Sequence, residues 1–197
     1  MKDISVKALA KINLGLDVVR KREDGYHEVR MVMQTIHLFD RLEISKNTSG
    51  EITMETNLSF LPTNENNLVY KAAKLLQDEF AIKDGVHVWL HKYIPVAAGM
   101  AGGSTDAAAV LYGMNQIFDL GLTREELMER GVKIGADVPY CIMRGTALAE
   151  GIGEKLSKLP PMVKCPVLIA KPQISVSTKF VYENLKLSLI HISEPTR

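Results

Sequence analysis

Between residues 4 and 19 apolar and polar positions alternate: Ile12, Leu14, Leu16 and Val18 fall on one side, Lys11, Asn13, Gly15 and Asp17 on the other. A period of two sends successive side chains to opposite faces, so this stretch predicts a long bent strand or a pair of strands. Arg22-Glu23-Asp24-Gly25 predicts a turn, and extended segments follow at 29–38, 41–45 and 51–55, with a hairpin-like break at Thr48-Ser49-Gly50. The period then changes. Leu68, Ala72, Leu75, Leu76 and Phe80 form one helical stripe over 67–80, after which 86–90 alternates again. A helix over 105–118 with Ser104 as its N-cap comes next, then one opened by Thr123 and Glu126 at capping-box spacing and ending near Gly135. Further strands are predicted at 145–150 and 166–171. Strands first and helices afterwards imply an α+β fold, with helices on one face of a mixed or antiparallel sheet.

The link between the strand at 86–90 and the helix behind it is built from very small residues: Pro95-Val96-Ala97-Ala98-Gly99-Met100-Ala101-Gly102-Gly103-Ser104-Thr105. A loop stripped of side chains lets a bulky anion reach backbone N–H groups, and the following helix N-terminus adds unpaired donors and a favourable dipole. The stretch is neither G-x-x-x-x-G-K-[ST] nor a G-x-G-x-x-G after a first strand, so it is neither a P-loop nor a dinucleotide fingerprint. By itself it also suits close packing of a strand against a helix.

Composition narrows the class. The 197 residues are 46% apolar and 24% charged, with 24 basic against 23 acidic side chains and a net charge of +1. That balance leaves no electrostatic footprint for nucleic acid or a membrane surface. The opening residues lack a signal-peptide pattern and no apolar run approaches spanning length, so a cytoplasmic location is expected. Cys141 and Cys165 sit in no metal-ligand or redox spacing and are expected to be small buried residues.

Residues 95–108 resemble the ATP-binding loop of the GHMP kinases, the superfamily of galactokinase, homoserine kinase, mevalonate kinase and phosphomevalonate kinase. Three more segments carry the resemblance: Ala10-Lys11-Ile12-Asn13-Leu14-Gly15-Leu16, Asp24-Gly25-Tyr26-His27 and Gly135-Ala136-Asp137-Val138-Pro139. Their order and spacing, from about residue 3 to about residue 187, are similar to the branch whose alcohol substrate carries a cytidine diphosphate. The resemblance implies a GHMP kinase N-terminal domain, ribosomal protein S5 domain 2-like, over 1–163, and the start of a truncated second α+β domain over 164–187. The implied reaction is ATP-dependent phosphorylation of the 2-hydroxyl of a cytidine diphosphate-linked methylerythritol, in the non-mevalonate route to isoprenoid precursors.

The resemblance also assigns roles. Asp137 would take the hydroxyl proton, although by sequence position it also suits a turn or helix cap. Lys11 would be its cationic partner, although alternation alone makes it a solvated lysine, and Asn13 on the same face would bind substrate. Residues 95–105 would hold ATP, with Ser104 and Thr105 offering hydroxyls to phosphate or to Mg²⁺, and Ser104 is the candidate metal ligand. Asp106 reads as a first-turn acid favoured by the helix dipole. Tyr26 would stack on cytosine and His27 meet its edge; Thr178 and Tyr182, in the segment 176–182, would close the far side. Without the resemblance both tyrosines are plain packing residues. Residues 188–197 resemble translated sequencing-adapter DNA, so a fragment with weak or no turnover is expected. An RNA-binding module is disfavoured by charge, a non-catalytic nucleotide binder by the presence of both Lys11 and Asp137, and another small-alcohol kinase by Asp24-Gly25-Tyr26-His27.

Overall fold

The computed structural model describes residues 3–172 together with 180, 181, 184 and 185. Strand β1 (Asp3–Lys21) is one continuous strand and pairs antiparallel with β2 (His27–Asn47), which joins two of the predicted segments into one. Strand β3 (Ile52–Thr56), helix α1 (Leu68–Glu79) and strand β4 (Gly85–His91) follow. Helix α2 (Gly102–Ile117), helix α3 (Arg124–Val132), helix α4 (Val138–Met143) and strands β5 (Thr146–Gly151) and β6 (Lys155–Lys158) complete the order. Only β3 and β4 run parallel, so the six-stranded sheet is mixed, one of the two forms the sequence left open.

Strand β1 occupies one edge of β2 along nearly its whole length. The other edge is divided, with β5 on Val29 to Gln34 and β4 on Arg41 to Asn47. Between these two partners β2 carries a bulge: from Leu9↔Phe39 to Lys11↔Thr35, β1 advances two residues while β2 advances four. The bulge explains a shift in the burial pattern of β2, from Val29, Met31 and Met33 to Asp40, Leu42 and Ile44. A one-residue change of phase would turn the core face outward in a regular strand, and the bulge cancels it.

The main core lies between this sheet and helices α1 and α2. Helix α1 buries Val69, Ala72, Ala73 and Leu76 at helical spacing, and the Asn67 side chain caps it by accepting from the Val69 N–H at 2.9 Å. Helix α2 buries residues on nearly every side, which requires small residues where it crosses the sheet. The predicted capping box of α3 forms in full: Glu126 N–H donates to Thr123 Oγ1 at 3.2 Å and Thr123 N–H donates to Glu126 Oε2 at 2.8 Å. A smaller cluster of Ala10, Ile36, Ile94 and Met100 lies beneath the glycine-rich loop.

Three expectations are corrected. Helix α2 begins at Gly102 and not at Thr105, because the left-handed Ala101 (φ 55°) turns the chain early and serves as N-cap in place of Ser104. Residues 166–171 form no strand: they find no ladder partner and Leu168 is 97% exposed, and β propensity is expressed only against a neighbouring strand. Cys165 is exposed for the same reason, while Cys141 is buried on α4. Among the described residues no helix is long and apolar enough to cross a membrane.

Two glycines test how firmly the layers are set. A Cβ on Gly85 would lie 2.2 Å from the Glu51 carbonyl oxygen, a backbone atom that cannot move aside, whereas one on Gly113 would meet only the tip of Ile44 at 2.4 Å. Gly85→Ala is therefore expected to cost about 2–3 kcal/mol in a denaturant titration, at the upper end of the overpacking range. Gly113→Ala should cost clearly less, because Ile44 can change rotamer.

Candidate active site

Where β5 and β4 part from β2, two loops enter the opening. One carries residues 92–101 and the other residues 144–145, and the candidate site lies between them. Lys11 projects from β1 beside the bulge. It is buried, not solvated, and its backbone N–H donates to the Met100 carbonyl at 3.2 Å, which fastens the loop to the strand. Its ammonium donates to Asn13 Oδ1 at 3.2 Å and stands 4.0 Å from Asp137 Oδ2. Asp137 occupies the N-cap position of α4, yet its side chain makes no cap hydrogen bond, so the carboxylate is directed to Lys11.

The floor under Asp137 is pinned by Tyr140. Its hydroxyl donates to the Gly145 carbonyl at 2.7 Å and lies 3.1 Å from Thr35 Oγ1, which accepts from the Gly145 N–H at 3.0 Å. Burial pushes the Tyr140 phenol up to about 12, so it is a neutral donor. Burial also pushes the Cys141 thiol up, which leaves it an inert packing group.

The loop turns through three left-handed residues, Ala97, Gly99 and Ala101, with φ of 54°, 70° and 55°. Such alternation lines up successive backbone N–H groups as an anion-binding concavity. The N–H of Thr105 makes the first bond of α2, to the Ala101 carbonyl, so the N–H groups of Gly102, Gly103 and Ser104 face outward without helical partners. Together they border a cleft of ≈ 280 Å³ that Asn67, Leu68 and Leu61 also line.

Ser104 lines this cleft, whereas Thr105 does not: it is buried, and its hydroxyl donates to the Leu9 carbonyl at 2.8 Å. The expected phosphate or metal contact of the Thr105 hydroxyl is thus replaced by a tie between α2 and β1. Asp106 is also corrected. It lies beyond the first turn, fully buried, with Oδ2 accepting from Lys92 Nζ at 2.8 Å. Burial pushes its carboxyl up to about 8, opposed by Lys92 and reinforced by the neighbouring Asp40. Sequence reasoning missed Asp40 and Lys92, and the available signal was a charge set inside an apolar stretch: Asp40 in Leu38-Phe39-Asp40-Arg41-Leu42, Lys92 in Trp89-Leu90-His91-Lys92.

The residues expected to bind cytosine lie elsewhere. Tyr26 and His27 stand at the tip of the β1–β2 hairpin, beyond the ladder pairs Asn13↔Met33 through Arg20↔Glu28, with Tyr26 61% exposed. Bulges between Asn13/Gly15 and Val18/Arg20 bend the hairpin on the way, and the turn is closed by Asp24, which accepts from the Tyr26 N–H at 3.1 Å. Thr178 and Tyr182 lie outside the described residues.

A family model described as "GHMP kinases N terminal domain" matches residues 67–145, which covers the loop, α2, α3 and the Asp137 turn. The 4-diphosphocytidyl-2-C-methyl-D-erythritol kinase of Acetivibrio thermocellus is 52% identical over 190 residues, spanning 96% of this chain and 67% of the relative. The chain belongs to the 4-diphosphocytidyl-2-C-methyl-D-erythritol kinase family of GHMP kinases. The family member of Lachnoclostridium phytofermentans is 64% identical over 184 residues, 93% of this chain. A crystal structure of a 4-(cytidine 5'-diphospho)-2C-methyl-D-erythritol kinase superposes with a TM-score of 0.78 at 35% identity, covering 91% of this chain and 63% of that one. The chain spans 63–64% of the length of several curated members of the family.

Tyr140→Phe removes one hydroxyl that serves two partners. It is expected to lower stability by about 1–2 kcal/mol in a urea titration, the cost of leaving buried polar groups unpaired.

Proposed function

We propose that this chain carries the donor site and catalytic pair of a kinase that phosphorylates the 2-hydroxyl of 4-diphosphocytidyl-2-C-methyl-D-erythritol from ATP. The observation that carries the reading is the Lys11–Asp137 pair, 4.0 Å apart, beside the loop whose residues line the cleft. In this reading the γ-phosphoryl group lies against the helix-end N–H groups of Gly102, Gly103 and Ser104. The substrate hydroxyl enters between Asp137 and Lys11. Its oxygen bonds to the γ-phosphorus as the bond to the bridging oxygen of ADP breaks, and its proton passes to the Asp137 carboxylate. Phosphoryl transfer depends on position and charge more than on base strength, so a carboxylate suffices. Lys11 orients the carboxylate and offsets charge on the moving group, while Asn13 holds Lys11 in register.

Mg²⁺ is the companion of ATP that this reading implies, and the Ser104 hydroxyl that lines the cleft fits it. A hydroxyl is a hard oxygen donor, and Mg²⁺ needs only one or two protein ligands beside phosphates. When bound, the ion offsets charge on the phosphate chain. The exposed Tyr26 ring supports a planar base in the acceptor, and the substrate is a small molecule.

Two measurements test the reading. In a chain of the relatives' full length, Asp137→Asn and Lys11→Ala are each expected to lower kcat for ADP release by about 100-fold or more, while ATP affinity stays within about threefold. Turnover retained in both variants would refute the assignment. Tyr26→Ala is expected to raise KM for the cytidine-linked alcohol about tenfold, a loss within the range measured for aromatic stacking on a base, and to leave KM for ATP in place. An equal rise in both would make Tyr26 a packing residue.

A further inference from the structure

We propose that Asp40, Lys92 and Asp106 form a buried clamp that fixes the shape of the glycine-rich loop and thereby sets the affinity for the phosphate chain of ATP. The second half of this statement rests on the kinase reading above; the first half does not. Asp40 lies on β2 just before Arg41, where the pairing with β4 begins. Its Oδ1 accepts the N–H groups of Tyr93 and Ile94, at 2.5 and 2.8 Å, and so fixes the chain as it leaves β4 for the loop. Its Oδ2 accepts from the Lys92 ammonium, which also donates to Asp106 Oδ2 at 2.8 Å. Asp106 belongs to α2, on the far side of the loop. One ammonium therefore ties the entry of the loop to its exit.

The loop rests on the clamp as well as between its jaws. A Cβ on Gly102 would lie 3.0 Å from Lys92 Nζ and 3.3 Å from Ile94 Cγ2, so the loop's last turn packs directly against the network. Lys92 and Asp106 both line the cleft, and all three side chains are buried.

Energetics explain why such a network belongs to a functional loop. Taking two carboxyl groups and one ammonium out of water is expensive, and an apolar cluster of equal volume commonly stabilises a fold as well or better. What hydrogen-bonded charges add is direction. Ala97 and Ala101 hold left-handed conformations that disfavour a Cβ, and such conformations persist where the surroundings over-determine them. With both ends of the loop tied to one point, the intervening residues have few other paths. Asp40, Lys92 and Asp106 are thus positioning residues, acting on ATP through the backbone of the loop.

Amide hydrogen exchange and MgATP titration calorimetry on the purified chain test the clamp, using Lys92→Met, Asp106→Ala and Asp106→Asn. Lys92→Met and Asp106→Ala are expected to speed exchange of the amides of residues 96–104 at least tenfold while protection in β1, β2 and β4 is kept, and to raise the Kd for ATP at least tenfold. Asp106→Asn retains an oxygen acceptor for Lys92 and should recover most of both losses. Exchange and Kd within twofold of the unsubstituted chain in the first two variants would overturn the proposal. So would protection lost evenly across the strands in both, because the network would then hold the core and not the loop. If Lys92→Met does not fold, Asp106→Ala decides by the same criteria. Failure of the unsubstituted chain to bind ATP would count against the kinase reading, and loop exchange would still judge the clamp.

Discussion

Strand β2 has two edges of backbone hydrogen-bonding groups to satisfy, and β1 takes nearly all of one while β5 and β4 share the other without meeting. Buried backbone groups need partners, so the opening between β5 and β4 must be filled by other polar groups. Two loops supply them. Gly145 accepts from the Thr35 N–H at one side of the opening, and the chain at Tyr93 and Ile94 is gathered in by Asp40 at the other. The segment before the glycine-rich loop and the segment behind Asp137 are thereby drawn towards the same short stretch of β2. The glycine-rich loop and the Asp137 turn stand side by side as the outcome of that unfilled edge.

Lys11 illustrates how the arrangement converts sequence into chemistry. An alternating strand would merely alternate its side chains between core and solvent. The bulge across from Lys11 and the contact of its own N–H with Met100 place it under the loop, where its ammonium has a carboxylate and an amide oxygen for company. Burial of a lysine is tolerable only with such partners. The same requirement explains why Asn13, two residues on, faces it.

Local chemistry in the sequence carried much of the fold. The strand alternation, the helical stripe over 67–80 and the Thr123–Glu126 box are short-range signals, and β1, α1 and the start of α3 appear close to where they are expected. The α+β class followed from their order, while the parallel pairing of β3 with β4 that makes the sheet mixed did not. What could not be read was fixed by contacts distant in sequence. The start of α2 depends on a left-handed Ala101 and on space beside Lys92, and Thr105 is claimed by the Leu9 carbonyl across the sheet. Residues 166–171 have β-forming side chains but no strand beside them. The Asp40–Lys92–Asp106 network joins residues up to 66 positions apart, and no periodicity announces it.

The short helix α4 bears on how the molecule divides its stability. Asp is among the best residues for opening a helix, and a used cap is worth about 1 kcal/mol. Here the side chain at that position leaves the helix end unserved, and Pro139 and the burial of Val138, Tyr140 and Cys141 hold the first turn in its place. Selection acting on stability alone would turn the carboxylate inward. Its outward setting marks a place where this fold is less stable than its own sequence permits, and where a gain in stability would have to break the pairing with Lys11.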